Sequence, residues 1–540
     1  MSTSTDLTVD KESTGDEFQE EKHTNRIESN GEPSLTGNSI SEEDDEDDHH
    51  VQQFAGEEEI HDNELNHPLS RTASVIHKVQ TGVSFFNDKI KSHRKSLALR
   101  FGVIYLVMSV LILGIFSIYW GSMIGRFDRI RNLRMLVVID EEEMNGVPPI
   151  FGDQLRTILA TGEAQYYGDW HIYNHTEFIN EFGTERSVEN EISRQIHHQN
   201  YWSSLYVKPQ ATYNFYQALI NGDTTYNATN NSIISIYETG RDFLNMNSYV
   251  LPSIEGIEFA WLDLQSNVTL PLIQIIQSGS HANVFNNPST LAVLGSSIGF
   301  GYFDQRVWTD PVIVAPSQVG LIYMIIMTFF QFNFFVDVHK DVLKIGIKRV
   351  HFMIYRIISS IVSFLIISLV YSLVSLAAQV DFTKSYGRGG FVVYWMISFL
   401  CMWAVGLANE IAGMLLIIYY PPVVGFWMLF WVIINISPTF TPLALSPKFY
   451  RYGYGLPIHN AYEATKVILF NTWRGQMGRN VGILIAWCAI LTIAMPFVVK
   501  FFGKKMGEKA REAMQAQMKE MAAKQQQQEE IQFEKEKSEP

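Results

Sequence analysis

The chain has 540 residues and a formal net charge of −15, and 47% of its residues are hydrophobic. The acidic residues are concentrated in residues 1–100, whereas the second half consists mostly of apolar segments. The net charge therefore describes a tail, and we expect no nucleic-acid partner. The two cysteines, Cys401 and Cys488, both lie inside apolar runs, which excludes a disulfide framework.

Residues 1–95 are rich in Ser, Glu and Asp and poor in apolar clusters. Such a composition cannot bury enough apolar surface to fold, so we predict a disordered acidic segment on the cytoplasmic side. Residues 61–67 include metal-capable histidines and carboxylates, but they lack the spacing of a metalloprotease. We therefore expect no metal site.

Long apolar stretches predict membrane spans, because a bilayer core about 30 Å thick needs roughly 20 apolar helical residues. These stretches are 101–124, 311–336, 357–380, 389–409, 411–447 and 480–499. The fifth is too long for one span, and we divide it at Pro421 and Pro422, so that a new helix covers about 421–440. A break nearer Gly413 would move the boundaries without changing the count.

The predicted fold is a polytopic α-helical membrane protein with six transmembrane helices, arranged one plus five. An α+β extracytoplasmic domain lies between the first helix and the second. The predicted parts are a disordered N-terminus 1–95, a first transmembrane helix 100–124, the extracytoplasmic domain 125–310, a five-helix transmembrane domain 311–502 with an outer cap loop 441–479, and a cytoplasmic helical, charged tail 503–540.

Lysine and arginine close to the spans predict that both termini are cytoplasmic. One basic cluster precedes the first span, a second fills the loop between spans two and three, and a third follows span six: Lys89, Lys91, Arg94, Lys95 and Arg100; Lys340, Lys344, Lys348 and Arg349; Lys500, Lys504, Lys505, Lys509 and Arg511. Arginines at 126, 129, 131 and 134 break the rule. Four glycosylation sequons, at Asn174, Asn227, Asn230 and Asn267, nevertheless favour an outer location for 125–310.

Local patterns within 125–310 predict both strands and helices. Residues 133–140 and 203–207 are typical of strands. Residues 151–160, 187–197 and 211–220 are typical of helices. We also predict a helix over 230–246, with Ile233, Ile236, Tyr237 and Phe243 near one face.

Polar residues inside the spans are candidate transport-path residues, because they are expensive in a bilayer. They are Gln331, Asn333, Asp337, Asn409 and Glu410. Arg356 at the start of the third span could pair with Asp337 or with Glu410. The alternatives are interfacial snorkelling for the charged groups and ordinary interhelical hydrogen bonding for the amides.

The sequence of the cap loop predicts a short amphipathic helix at the outer membrane–water interface. Asn460 would cap it and Glu463 would reach back to the cap, while Pro457 blocks continuation from upstream. Tyrosine and tryptophan rings would lie at the headgroups, and basic residues would meet lipid phosphates: Tyr450, Tyr452, Tyr454 and Trp473; Lys448, Arg451, Lys466 and Arg474. The alternative is a re-entrant cap without a ligand.

The chain carries no P-loop sequence, HExxH motif, CxxC pair or kinase signature, and we expect no serine-nucleophile elbow. We therefore predict no catalytic residue, no cofactor and no enzymatic activity. The tail after residue 503 is predicted to be a solvated helix that frays near residues 525–528, with a coiled coil as the alternative.

The one-plus-five layout resembles ABC-2-type permeases and the bacterial phage-infection-protein group. Residues 449–471, FYRYGYGLPIHNAYEATKVILFN, are similar to the fungal nitrosoguanidine-resistance protein family, as are YWSSLYV at 201–207 and ATYNFYQAL at 211–219. The resemblance covers about residues 95–505. It implies a fungal plasma-membrane protein linked to resistance to toxic compounds, and ABC-2-type domains ordinarily work with a nucleotide-binding partner.

Two functions of different classes follow from the resemblance and the topology. The first is a membrane permease that exports toxic amphipathic compounds or handles lipids without its own ATPase. The second is a non-transporting regulator or scaffold that acts through lipid organisation or partner proteins. We expect membrane lipids as partners, together with either a second copy of the chain or an unidentified energising protein. The expected location is the plasma membrane, with another secretory-pathway membrane as the alternative.

Overall fold

A computed structural model describes residues 91–279 and 281–538, with side chains described up to residue 526. The predicted disorder of residues 1–90 lies outside these described residues, and residues 91–95 are helical. Helix α1, Lys91–Gly121, carries the first long apolar stretch. Ile115 is the one buried residue of this helix, so α1 makes little contact with the rest of the described chain.

A five-stranded sheet follows α1. Its strands are β1 Arg134–Ile139, β2 Asp169–Asn174, β3 Ser203–Val207, β4 Ile233–Tyr237 and β5 Phe300–Asp304, in the order β2-β1-β3-β4-β5. β1 is parallel to both β2 and β3, β3 is antiparallel to β4, and β4 is parallel to β5. The strands predicted at 133–140 and 203–207 are present.

Helices cover both faces of this sheet. They are α2 Ile150–Leu159, α3 His175–Phe182, α4 Val188–His197, α5 Ala211–Asn221, α6 Ala228–Asn231, α7 Phe243–Asn245, α8 Leu251–Asp263, α9 Ser266–Ser278 and α10 Pro288–Leu294. Alternate residues of β1 point to opposite faces. Val137 packs in the cluster that contains residues of α2, α5, α8 and α9, and Val138 packs in the cluster that contains residues of α3 and α4.

The helix predicted over 230–246 is wrong. Residues Ile233–Tyr237 form β4, which is hydrogen-bonded to β3 on one side and β5 on the other, and all five residues are buried. A central strand buried on both faces has no polar alternation, so its short apolar run fits a helix face equally well.

The second half of the described chain is helical. Its helices are α11 Gly320–Lys344, α12 Arg349–Ala377, α13 Thr383–Tyr386, α14 Gly390–Tyr419, α15 Val424–Ile436, α16 Pro457–Phe470 and α17 Met477–Ser538. α17 continues through residues 525–528, where fraying was predicted. Its side chains from 509 to 526 are exposed.

Five helices in the described chain are long and apolar enough to cross a membrane. They are Lys91–Gly121, Pro311–Lys344, Arg349–Ala377, Thr383–Tyr419 and Arg474–Gln526. The protein is therefore a polytopic helical membrane protein. The segment predicted as the fifth span corresponds to a shorter apolar helix, Pro421–Ile436, which is about 24 Å long at 1.5 Å per residue.

α14 lies at the centre of this bundle. Its glycines let the neighbouring helices approach closely. A Cβ at Gly406 would lie 2.4 Å from the ring of Phe364 on α12. A Cβ at Gly413 would lie 2.5 Å from the ring of Phe332 on α11. Larger residues at either position would push the helices apart.

Candidate functional site

The sequence of α12 separates a polar inner face from a lipid-type outer face. Its buried residues recur mostly at intervals of four and are mainly small and polar: Arg356, Ser360, Phe364, Ser368, Ser372 and Ser375. Its exposed face carries Ile354, Ile358, Val362, Ile366 and Val370 at the same interval. Residues four apart share a helix face, so α12 turns its polar stripe towards α11 and α14.

An ion pair lies at the end of this stripe, inside the bundle. Arg356 Nη2 donates to Glu410 Oε2 over 2.9 Å, and the side chains are 6% and 0% exposed. Ser360 Oγ lies 2.9 Å from Glu410 Oε1 and 3.0 Å from Oε2. Of the two pairings considered for Arg356, the structure has the one with Glu410. Asp337 is exposed and pairs with Lys340 instead.

His339 extends this site from α11. Arg356 Nη1 donates to His339 Nε2. A guanidinium can only donate, so Nε2 must accept and carries no proton. The proton then lies on Nδ1, which is 3.1 Å from the hydroxyl of Tyr355. The arrangement fixes a neutral histidine beside the arginine.

The candidate amides are divided between the interior and the surface of the bundle. Asn409 Nδ2 donates to Ile325 O and Thr328 Oγ1, each over 3.1 Å, and Asn409 Oδ1 accepts from Trp427 Nε1 at 3.0 Å. Asn409 thereby joins α11, α14 and α15.

Gln331 is also buried and lies against Glu410, and its Oε1 has no partner among the described residues. Asn333 is exposed and donates to Phe329 O of its own helix at 3.0 Å. Gln331, Asn409 and Glu410 therefore belong to one interior network, whereas Asn333 and Asp337 lie outside it. Ser360 and Thr328 were not identified from the sequence, although the four-residue serine repeat of α12 could have indicated Ser360.

The cap loop does not form the helix start that was predicted. α16 begins at Pro457, three residues before Asn460, so Asn460 is an interior residue. Its Nδ2 donates to Leu456 O and Tyr454 O at 2.7 and 2.9 Å. Glu463 pairs with Lys466 at 2.8 Å rather than reaching back to a cap. Pro at the first helical position, which has no need of an N–H donor, sets the start.

α16 is also buried rather than interfacial. Every residue of it except Glu463 is buried. Tyr450 donates to Ile118 O at the end of α1 over 2.6 Å, and Tyr452 donates to Ile434 O of α15 over 3.1 Å. Trp473 stacks on His198 with ring centroids 5.5 Å apart. Of the predicted interfacial rings, these three pack on the protein itself, while Tyr454 is 45% exposed and Arg451 is exposed.

A cluster of charges joins α16 to the five-stranded sheet and its helices α2–α10, which we call the sheet domain. Lys466, predicted to meet lipid phosphates, is buried and lies 4.5 Å from the centroid of the Tyr462 ring. The Tyr462 hydroxyl lies 3.5 Å from Asp242 Oδ1, and burial raises the pKa of Asp242. Burial acts to raise the pKa of Glu463 as well, but Lys466 and the neighbouring cations outweigh it and the pKa is lowered.

Aromatic stacking reinforces the same junction. Trp308 lies between Phe243 of the sheet domain and Phe470 of α16, with centroid distances of 4.7 and 4.6 Å. A Cβ at Gly240 would lie 2.7 Å from Phe470, so the chain passes too close for a side chain there. Residues 449–471, most of which are buried, therefore connect α1, the bundle and the sheet domain.

The four sequon asparagines lie within the sheet domain. Asn227, Asn230 and Asn267 are exposed, and Asn174 is half-buried as the N-cap of α3, accepting from Glu177 N. Residues 295–299, GSSIG, have the GxSxG spacing that the sequence prediction missed. They precede β5 and follow α10, the reverse of the strand-to-helix order of a nucleophile elbow. Within the described residues, no group of three or more His, Cys, Asp or Glu side chains could hold a metal ion.

Comparison with known proteins shows the family to which the chain belongs. No solved structure matches the chain. A Saccharomyces cerevisiae protein named uncharacterized endoplasmic reticulum membrane protein YJR015W is 36% identical over 439 residues, which cover 79% of this chain and 84% of that protein. The family described as protein of unknown function (DUF3533) matches residues 104–493. The chain therefore belongs to this family, DUF3533.

Proposed function

We propose that this protein moves toxic amphipathic compounds or lipids across a membrane of the secretory pathway, and so confers resistance to compounds such as nitrosoguanidine. It would do so without an ATPase of its own, in the manner of an ABC-2-type permease. The observation that carries the proposal is the buried Arg356–Glu410 pair with its polar neighbours. Ionisable groups held inside a helical bundle are expensive and mark substrate or ion pathways.

The hydrogen bonds around Arg356 are of the kind that can break and re-form when helices move. Arg356 belongs to α12, Glu410 to α14 and His339 to α11, so both of these bonds from the Arg356 guanidinium cross from one helix to another. Separating these helices would break charged hydrogen bonds and expose polar groups to a path between them. Asn409, the residue before Glu410 on α14, forms a second polar contact between helices, with Trp427 of α15.

The proposed topology has six crossings, with α15 as the fifth. Near its start, Lys509 of the basic cluster after the last span donates to Ile418 O. Beyond its end, Ala444 O accepts from Asn132 at 3.1 Å, next to the sheet domain. These contacts support α15 running from one end of the bundle to the other, and local bilayer thinning accommodates a short helix. Both termini are then cytoplasmic and the sheet domain is extracytoplasmic.

The proposed membrane is that of the endoplasmic reticulum, following the name of the yeast relative. The plasma membrane is the other location to test. Fluorescence imaging of the tagged full chain beside markers of both membranes distinguishes them.

The experiment that tests transport is efflux of a labelled toxic compound from cells, and from sealed vesicles of the membrane that imaging identifies. The cells and vesicles contain the wild-type chain, Glu410→Gln, or no chain, at matched membrane permeability and matched amounts of folded chain. Faster efflux with the wild type than with Glu410→Gln supports the proposal. Asn333→Leu is the matched control, because Asn333 also lies on a spanning helix but outside the network. Equal efflux in all cells, despite a difference in resistance, contradicts it.

The second candidate is a non-transporting regulator or scaffold. It is favoured by the exposed part of α17, residues 509–526, which offers a helical surface for partners. Truncation after residue 509, which keeps the contact of Lys509 with Ile418 O, distinguishes the two functions. A transporter keeps its efflux when the bundle is intact, whereas a regulator loses resistance with its docking segment.

A further inference from the structure

The topology of the sheet creates a crevice at the edge formed by the carboxyl ends of its parallel strands, β1, β2 and β3. The connection from β1 to β2 passes through α2 on one face, whereas the connection from β2 to β3 passes through α3 and α4 on the other face. The segments that follow β1 and β3 both lead to helices on the first face, α2 and α5. The chain continues from β1 towards β2 but from β3 towards β4, so the strand order reverses between β1 and β3. In open α/β sheets, ligands bind at this point, outside the carboxyl ends of the parallel strands.

Two cavities of about 390 Å³ each lie at this position. The first is lined by the segment after β1, by His175 after β2 and by Gln210 after β3. The second is lined by Tyr206 and Tyr226, together with Glu189. Pro209 lines both, so the cavities adjoin across the turn after β3.

An anion is excluded from the usual place at this edge, because the chain fills it. Helix N-termini at a switch point commonly bind phosphate through their free N–H groups. Here Glu141 Oε2 accepts from Gly152 N of α2 at 3.0 Å, and Glu141 Oε1 accepts from Thr212 N of α5. Glu141 is 7% exposed. One carboxylate therefore occupies two helix N-termini at once.

The remaining lining suits a cation. Asp140 is held by the Tyr206 hydroxyl, which donates to Oδ2 over 2.8 Å, and by His175 at Oδ1. Glu142 and Glu143 are exposed beside it and make no ion pair within the described residues. Tyr206 and Tyr226 line the adjoining cavity, and aromatic rings attract organic ammonium groups.

Lys208 is the one lysine among the residues that line these cavities; it lines the second, and its ammonium donates to Asn230 O at 2.9 Å. Its charge is thus directed to a backbone carbonyl. The carboxylates of Asp140, Glu142, Glu143 and Glu189 outnumber it.

We propose that this crevice binds an organic ammonium ion of linear shape, such as a polyamine, across the two adjoining cavities. The carboxylates of Asp140, Glu142 and Glu143 bind one ammonium group, and the tyrosine-lined cavity receives the other end. The crevice is at the edge of the sheet opposite to the junction with α16, because β1 begins next to Asn132, which contacts Ala444. The ligand is therefore taken from the aqueous compartment rather than from the bilayer. This inference is independent of the proposed transport.

The test is equilibrium dialysis of radiolabelled spermidine against the purified full chain in lipid nanodiscs. Saturable binding is expected, with about tenfold weaker affinity for the double variant Glu142→Gln plus Glu143→Gln. These side chains are exposed, so the variant keeps the fold. The matched control, Glu185→Gln plus Glu255→Gln, removes the same charge from exposed positions outside the cavity linings and is expected to bind as the wild type does.

Three results would overturn the inference. One is the absence of saturable spermidine binding. Another is equal weakening in both double variants, which would mean diffuse attraction to an acidic surface. The third is competition by inorganic phosphate at constant ionic strength, which would make helix N–H groups the binding groups. Because no transport is measured, none of these results bears on the efflux experiment.

Discussion

Replacing Glu410 by Gln keeps the shape of the side chain and leaves Arg356 charged and unpaired inside the bundle. The lost partner lies 2.9 Å away and the two side chains are 0% and 6% exposed, so water cannot replace it. Breaking a buried pair on one side typically costs about 3–5 kcal/mol, most of it from the stranded charge. We therefore expect Glu410→Gln to lower the free energy of unfolding by about that amount.

Asp337→Asn is the matched control. It removes the same charge from the same bundle, but Asp337 and its partner Lys340 are exposed. Exposed pairs contribute about 0–1 kcal/mol. The two variants differ in burial and not in the charge removed.

The assay is unfolding of the purified chain in mixed micelles, titrated with a denaturing detergent at fixed pH. A double variant, Glu410→Met with Arg356→Met, is measured together with its two single variants, because removing both charges leaves no stranded cation. We expect the double variant to be more stable than Glu410→Gln. The reasoning is refuted if Glu410→Gln and Asp337→Asn are equally stable, or if the losses at positions 356 and 410 simply add.

Two further predictions concern the sheet domain and its junction with α16. The pKa of Glu463 is held below its ordinary 4.5, so its carboxylate stabilises the junction above about that pH, and the contribution is lost as pH falls through the folded-state value. Thermal unfolding between pH 7 and 3 should therefore show an acid-side loss of stability that is smaller in Glu463→Gln; an unchanged profile would contradict the assignment. Asn267 is exposed at the start of α9, so Asn267→Gln should remove one endoglycosidase-sensitive glycan, and an unchanged mobility on gels would count against an extracytoplasmic sheet domain.

The sequence predicted helices well where one face is polar and the other apolar. α4 and α5 were found within a residue of their ends. β4 was misassigned because its residues are buried on both faces and leave no alternation to detect. The start of α16 was misassigned because Asn460 resembles a cap, yet Pro457 satisfies the geometry of the first turn three residues earlier.

Site prediction depended on which face of a helix each residue occupies. Gln331 and Asn333 are two residues apart on α11, and this spacing puts them on different sides of the helix, one buried and one exposed. Composition identified both as polar residues in an apolar run, but only the packing of α14 decides which is inside. The burial of Lys466 could not be predicted from the sequence either, because it depends on the sheet domain that covers α16.

The stacking of Trp308 between Phe243 and Phe470 couples the sheet domain to the bundle, and we expect the two to unfold together. Elements that share buried contacts open together, and local opening is confined to parts with few such contacts. An isolated segment 125–310 would expose the faces of Trp308 and Phe243 to water and leave Asp242 without the cover of α16. The sheet domain would then aggregate when expressed alone.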